Sequence, residues 1–307
     1  MFDALSQLTG NFEILPQLLI NALITGSIYA IAGAGLALTF GMLRILNFAH
    51  GHLMMVGAYT FFFFHVQLDL PLLPAILSSS VVLLIIGSIS LVMFIQPFMQ
   101  ASPLLPFVTT IALGSILEAS VSMLFGVNVK SFPSDSNFES IAWHGIFITP
   151  VQILVILSAL IVLTVLGIAI HLTPLGRKVR ALAENYPAAQ GLGISKPAIT
   201  FCIFLLSILV TAYAGVLIGY ETNVQPTMGG SYTIKAFAAM ILGGLGNIWG
   251  TIAGSYILGA VENLAIGLDF WGYSLPAGYK DAFAFLIILA ILLIRPQGLF
   301  GSRERSI

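Results

Sequence analysis

Few residues in this chain have chemistry to offer. Glu118 and Glu262 lie inside long apolar stretches, with Glu262 nearer the outer end of its stretch. A charge at the bilayer centre costs about 2.5–3.5 kcal/mol on insertion scales, so an intramembrane carboxylate is a functional candidate by default. Such a group can sense protons or hold a substrate ammonium; alternatively it is a protonated or hydrogen-bonded side chain that fixes two helices. His50 and His52 stand two residues apart, a spacing that points side chains to different faces of a helix, and no third ligand follows at metal-site spacing. No metal site is expected. Asn47, Phe48 and His50 beside Gly51 read instead as a polar kink near the inner membrane face, either lining a pathway or capping the helix that follows Arg44. The chain has no G-x-x-x-x-G-K-S/T sequence, so any ATP that drives it is bound by another chain. It has no G-x-S-x-G or H-E-x-x-H sequence either, and no catalytic residue is expected.

A second group sits in the one long polar interruption, residues 173–197, which holds Arg177, Lys178, Arg180 and Lys196, four of the eleven basic residues. An excess of Lys and Arg marks a cytoplasmic loop. Residues 177–190 read as one short helix with Val179, Leu182, Ala183 and Tyr186 on a face; Pro187 kinks it, and Gly191 and Gly193 end it. The helix is amphipathic and too polar to span, which suits it to docking. The plain alternative is a connecting loop held inside by its charge.

The elements that position these residues follow from composition. Of 307 residues, 58% are hydrophobic and 7% charged, against about 25% charged in soluble domains. The chain is therefore an all-α polytopic membrane protein: its apolar segments are too long for barrel strands. The net charge of −1 argues against nucleic acid as a partner. Cys202 lies in an apolar segment and reads as a small buried hydrophobe. The head, residues 1–13, carries no Lys or Arg and is placed outside. Segments at residues 14–40, 48–64, 72–95, 104–125 and 151–171 then cross in turn. The first is longer than the hydrocarbon core needs, so tilt or a break is expected. Its rows Ala22, Gly26, Ala30, Ala34 and Gly33, Ala37, Gly41 favour close helix packing.

Beyond the basic loop, residues 198–220 run outward to a polar stretch that is either a gate or a turn. Residues 235–242 and 249–268 form a hairpin near the middle of the fold, broken at Gly243, Gly244, Gly246 and Asn247; the first leg is too short to span. Residues 279–294 return to a cytoplasmic tail bearing Arg295, Arg303 and Arg305. This makes about eight to nine transmembrane or half-spanning helices in one domain, residues 1–307. LNFAHGHLMMVGAY near residue 50 and LGNIWGTIAGSYIL near residue 250 hint at an internal duplication.

Four stretches carry a family resemblance. Residues 20–59, with NFAHG at 47–51 as the most specific part, resemble the N-terminal signature of the branched-chain amino-acid permease subunits of ABC importers. GRKVRALAENYPAAQGLGI, residues 176–194, is similar to that family's coupling loop, FAAMILGGLGNIWGTIAGSYILG, residues 237–259, to its glycine-rich hairpin, and RPQGLFG, residues 295–301, to its usual ending. The length and the early NFAHG resemble the H-type subunit. The resemblance implies a multi-pass protein of the bacterial inner membrane, a second homologous permease, two cytoplasmic ATPases that carry ATP and Mg, and an external solute-binding protein. It makes residues 177–193 the helix seated in an ATPase groove, with Arg177, Lys178 and Arg180 meeting acidic residues or lipid phosphates and Leu182, Ala183, Tyr186 and Leu192 packing, Glu184 being the loop's only acid. The substrate implied is a branched-chain or other hydrophobic amino acid, for which Phe61 to Phe64 offer an apolar path or face lipid. Related systems for urea and short amides share these motifs. A stand-alone ion-coupled transporter using Glu118 and Glu262 is the competing class.

Overall fold

A computed structural model describes residues 2–99, 104–132, 140–143, 145–267 and 276–301. The chain is helical almost throughout. Helix α1, Phe2–Leu43, is continuous. No break interrupts it: the polar head continues the helix, and Pro16 is accommodated inside it. At about 1.5 Å per residue it extends roughly 63 Å, twice the hydrocarbon thickness, so one end projects beyond the bilayer. Arg44, at φ 54°, ends it. Helix α2, His50–Phe62, runs on into a π-helical turn, Phe63–Gln67. Helix α3, Leu72–Ile89, likewise continues through a π segment, Ser90–Ile95, and a 3-10 turn, Gln96–Phe98. Helix α4 is Leu104–Phe125.

A small antiparallel hairpin, β1 Ile141–Trp143 with β2 Ile146–Ile148, stands in the following loop and modifies the all-helical expectation there. Helix α5, Pro150–Leu172, opens on a capping box between Thr149 and Gln152. The basic loop folds as two helices rather than one, α6 Pro174–Glu184 and α7 Tyr186–Gly191. Asn185, extended at φ −151°, separates them and accepts from the backbone N–H of Ala188, while Pro187 falls in the first turn of α7, where its missing N–H costs nothing. Helices α8 Lys196–Glu221, α9 Met228–Gly243, α10 Ile248–Gly267 and α11 Lys280–Ile294 complete the chain.

Five of these are long and apolar enough to cross a membrane, and α9 with α10 form a pair bent by 116° at the glycine break. Helix α1 is the axis of the bundle: its apolar window is 83% buried, whereas those of α3, α4 and α5 are 28% buried. The small-residue rows explain this, because they bring α1 against α10 along its length. A Cβ on Gly26 would lie 3.0 Å from the Tyr256 Cα, and one on Gly33 2.9 Å from Thr251.

The hairpin departs from expectation in two ways. Its first leg begins at Met228, so the polar stretch before Lys235 is largely helix. Its break lies at one end of the bundle rather than in the middle. Gly246 sits against Gly41 at the end of α1, and Trp249 covers Gly167 near the end of α5, the end that leads into the basic loop. Residue 268, the expected limit of the second leg, lies outside the described residues. Cys202, expected to be buried, is exposed on α8.

Candidate functional site

The NFAHG run is a junction where five helices meet. Asn47 is buried and its Oδ1 accepts from the backbone N–H of Ala49. Phe48 stacks on Phe237 of α9 at 4.8 Å between ring centres, packs edge-on to Phe107 of α4, and its N–H donates to Thr110. His50, 2% exposed, places Nε2 at 2.8 Å from the Ala32 carbonyl of α1 and 3.2 Å from the Thr211 hydroxyl of α8. The N–H of Gly51 donates to Thr233 of α9 at 2.9 Å. A Cβ on Gly51 would come within 2.7 Å of the Thr233 nitrogen, so only glycine permits this contact. Both histidines lie on α2 yet reach different neighbours, as their spacing requires.

His52 turns toward α4. Its ring is sandwiched between Gly114 of α4 and Gly229 of α9, and Nε2 lies 3.4 Å from Glu118 Oε2. The Glu118 side chain is 36% exposed and forms the rim of this seam, while His52 Nδ1 is buried without a hydrogen-bond partner. His52 is a contact that spacing could not supply, because its partner lies on another helix.

Glu262 has the opposite surroundings. Its side chain is 1% exposed and accepts from the Tyr29 hydroxyl at 2.9 Å. Lys235 approaches both carboxylate oxygens, at 3.3 and 3.4 Å, and Lys280 lies 3.6 Å away. Lys235 also donates to Tyr29 and pairs with Asp281 of α11 at 2.9 Å. Two lysines and two carboxylates thus cancel, and the network ties α1, α9, α10 and α11 together. A buried pair is costly to break because the survivor is left uncompensated. Glu262 therefore acts as a fixing group in this conformation. Lys235, taken from the sequence only as the start of a helix, was legible as an ionisable residue beside an apolar run.

The glycine break is closed by the chain's own tail. The N–H groups of Leu299 and Phe300 donate to the carbonyls of Leu242 and Gly243, at 2.8 and 3.0 Å. Asn247 caps α10 by accepting from Gly250 and donates its amide to the Phe300 carbonyl. Gly244 and Gly246, at φ 112° and 79°, turn the chain, and Gly243 crosses Gly250 with backbone in contact. The motif 295–301 thus supplies the donors that a broken helix needs. Asn47 and Asn247 both accept a backbone N–H at a helix start.

In the basic loop, Arg177 and Lys178 are exposed and Leu182 is buried. Arg180 is exposed too, but its guanidinium is engaged by its own chain, donating to the carbonyls of Ile170 and His171 at the end of α5, at 2.7 and 3.4 Å. Thr173 caps α6 through the Gly176 N–H, and the absence of a side chain at Gly176 lets the turn close on Ile170. Leu192 is 81% exposed. Gly193 adopts φ 78°, whereas Gly191 ends α7 in open space. The side chains of Ala183, Glu184 and Tyr186 lie outside the described residues. Of the Phe61 to Phe64 run, Phe61 and Phe62 are buried against Phe132, while Phe63 and Phe64 border an apolar cavity of about 280 Å³. Among the described residues no three His, Cys, Asp or Glu side chains converge as a metal site.

A helical bundle built on one central span, with a self-capped broken hairpin and a polar helix pair at one end, is the architecture of a multi-pass membrane protein. The chain belongs to the family described as branched-chain amino acid transport system / permease component, which it matches over residues 18–292. It is 32% identical over 302 residues to the high-affinity branched-chain amino acid transport system permease protein BraD of Pseudomonas aeruginosa, covering 94% of this chain and 96% of that protein. It is 29% identical to the corresponding LivH of Escherichia coli K12, with the same coverage. In fold it resembles PsaBC from Streptococcus pneumoniae, solved in complex with a Fab, with a TM-score of 0.53, 13% identity and 97% of each chain covered. The protein is accordingly a multi-pass protein of the bacterial inner membrane.

Proposed function

We propose that this chain is one of two permease subunits of an ATP-driven importer and forms half of the translocation pathway for branched-chain or other hydrophobic amino acids. The observation that carries this reading is the anchoring of α6. Arg180 ties α6 to the end of α5 and Thr173 caps it, while Arg177, Lys178 and Leu192 are exposed. That is the construction of a lever with a free docking face. Two cytoplasmic ATPases carrying ATP and Mg engage it, a second homologous permease completes the pathway, and an external solute-binding protein delivers the ligand. The loop is then cytoplasmic, and so is the tail packed beside the hairpin. Closure of the ATPases pushes α6, and α5 moves with it through Arg180.

The competing reading is a stand-alone ion-coupled carrier using Glu118 and Glu262; Glu262 is held by Lys235 and Lys280 as a fixing group in this conformation. The test is purification in mild detergent with identification of co-purifying chains, followed by ATPase assays with candidate binding proteins. Two ATPases and a second permease, with hydrolysis stimulated by a leucine-loaded binding protein, are expected. Stimulation only by a urea- or amide-loaded binding protein would reassign the substrate. Transport by this chain alone in vesicles without ATP would overturn the proposal.

A further inference from the structure

Helices α3 and α4 meet at the end of the bundle nearest the basic loop, where the Thr109 hydroxyl donates to the Phe94 carbonyl at 2.6 Å. Toward the other end they separate. The space between them is the apolar cavity of about 280 Å³, with Val82 and Ile86 of α3 on one wall, Leu117 and Val121 of α4 on the other, and Val56 and Tyr59 of α2 as its floor. The rings of Phe63, Phe64 and Phe125 border its far end. That end lies opposite the basic loop, because α8 leaves the loop at Lys196 and its last turn brings Tyr220 against Phe61. Two of the lining residues also form the mouth: Leu124 is 78% exposed and Phe63 37%. Beside them Val81, Ile85 and Met123 face outward. The opening is therefore continuous with the apolar surface that spanning helices present to a bilayer.

Among the described residues no charged side chain lines this cavity. Its hydroxyls are committed to backbone carbonyls: Thr60 donates to Val56 and Gly57, Ser120 to Ile116, and Tyr59 points at Val224. A zwitterionic amino acid would shed its water there without gaining a partner, so this cavity is not its path. Left empty, the walls would forfeit their dispersion contacts on one side. A hydrocarbon chain supplies those contacts and needs no hydrogen bond. Residues 56–64 and 117–125, which carry the floor and one wall, each run about 12 Å, close to the roughly 15 Å of hydrocarbon in one leaflet. We propose that this crevice is a lipid site, holding one acyl chain of a phospholipid from the leaflet opposite the basic loop. The chain fills the gap that α3 and α4 leave at that end and packs on α2, the helix that carries His50 and His52. The proposal needs only that the protein spans a bilayer, and it is independent of the importer reading.

The test uses the full chain, together with any subunits that co-purify with it, washed in a delipidating detergent and examined by native mass spectrometry. The wild type should retain one phospholipid per copy after the wash has removed the rest. Ser120→Phe places a ring in the crevice and should lose that lipid, whereas Ile161→Phe, on the exposed face of α5, should keep it. Because poor folding would also release lipid, the unmutated protein is photolabelled in vesicles with a phosphatidylcholine that bears a diazirine midway along one acyl chain. Adducts are expected within residues 56–64 and 117–125, including the buried lining residues Val56 and Val121. Adducts confined to outward residues such as Val81 and Ile161 would show that the crevice is closed, or covered by another subunit, and would overturn the proposal. So would a wild type that keeps no phospholipid through the wash, or a Ser120→Phe variant that keeps as much as the wild type.

Discussion

The indole N–H of Trp249 donates to Nε2 of His171 at 2.8 Å, which ties the first turn of α10 to the last turn of α5. The two rings are near-parallel at 6.0 Å, and the His171 carbonyl also receives Arg180. The anchored helix α6 is therefore joined to the glycine hairpin through one side-chain contact. Trp249→Phe keeps a ring over Gly167 and loses the N–H. It should cost about 1 kcal/mol or less in stability, yet lower the ratio of uptake to ATP hydrolysed severalfold. Parallel transport and phosphate-release assays check this.

Charge reversal separates the two kinds of arginine. Arg180→Glu removes donors from the Ile170 and His171 carbonyls and places a like charge on the negative end of α5. It should uncouple hydrolysis from uptake while membrane insertion persists. Arg177→Glu alters an exposed residue and should instead weaken ATPase recovery in pull-downs. Unchanged uptake in both variants would remove the loop from the mechanism.

Lys235→Met should be among the most destabilising single changes, by about 3–5 kcal/mol, because Glu262 then stays buried with one distant cation and the Tyr29 hydroxyl. Removing the acid as well, in Lys235→Met with Glu262→Gln, should recover a large part of the loss. Thermal unfolding in detergent, followed by the fraction remaining monodisperse, measures both.

Gly51→Ala and Gly230→Ala make a matched pair. At Gly51 the new methyl meets the Thr233 nitrogen at 2.7 Å, and the Gly229 carbonyl more closely still. The junction of α2 with α9 must open, and the yield of folded protein should fall. At Gly230 nothing lies within 4 Å, so the same substitution should leave the yield unchanged or slightly raise it.

Truncation after Ile294 removes the donors to the Leu242 and Gly243 carbonyls and the Asn247 partner. Each buried group left unsatisfied costs about 1–3 kcal/mol. The truncated chain should insert but become protease-sensitive at the Gly244 break, detectable by limited proteolysis, whereas Arg295→Ala leaves the backbone donors in place and should remain resistant.

Helical class and family were legible in the chain itself, because apolar length sets what can span a bilayer and NFAHG and RPQGLFG are specific enough to place a family. The small-residue rows of α1 announced close packing, and the helix they meet proved to be α10. Spacing also separated His50 from His52 correctly, since residues two apart cannot share a helix face. The partners across helices remained hidden. Glu118 with His52, Glu262 with Lys235 and Tyr29, and Trp249 with His171 join positions 27 to 233 residues apart, and periodicity along one helix says nothing of what faces it. The engagement of Arg180 with the end of α5 was equally beyond reach, because whether a surface cation serves a partner or its own chain depends on which carbonyls lie within its span. The sequence determined what must be buried in a membrane and where the main apolar helices lie, but not the starts of α1 and α9 or the division of the basic loop into two helices. Tertiary structure alone decided which charges cancel and which end of the bundle the broken hairpin occupies, because these depend on distances between helices that local hydrogen bonding does not set.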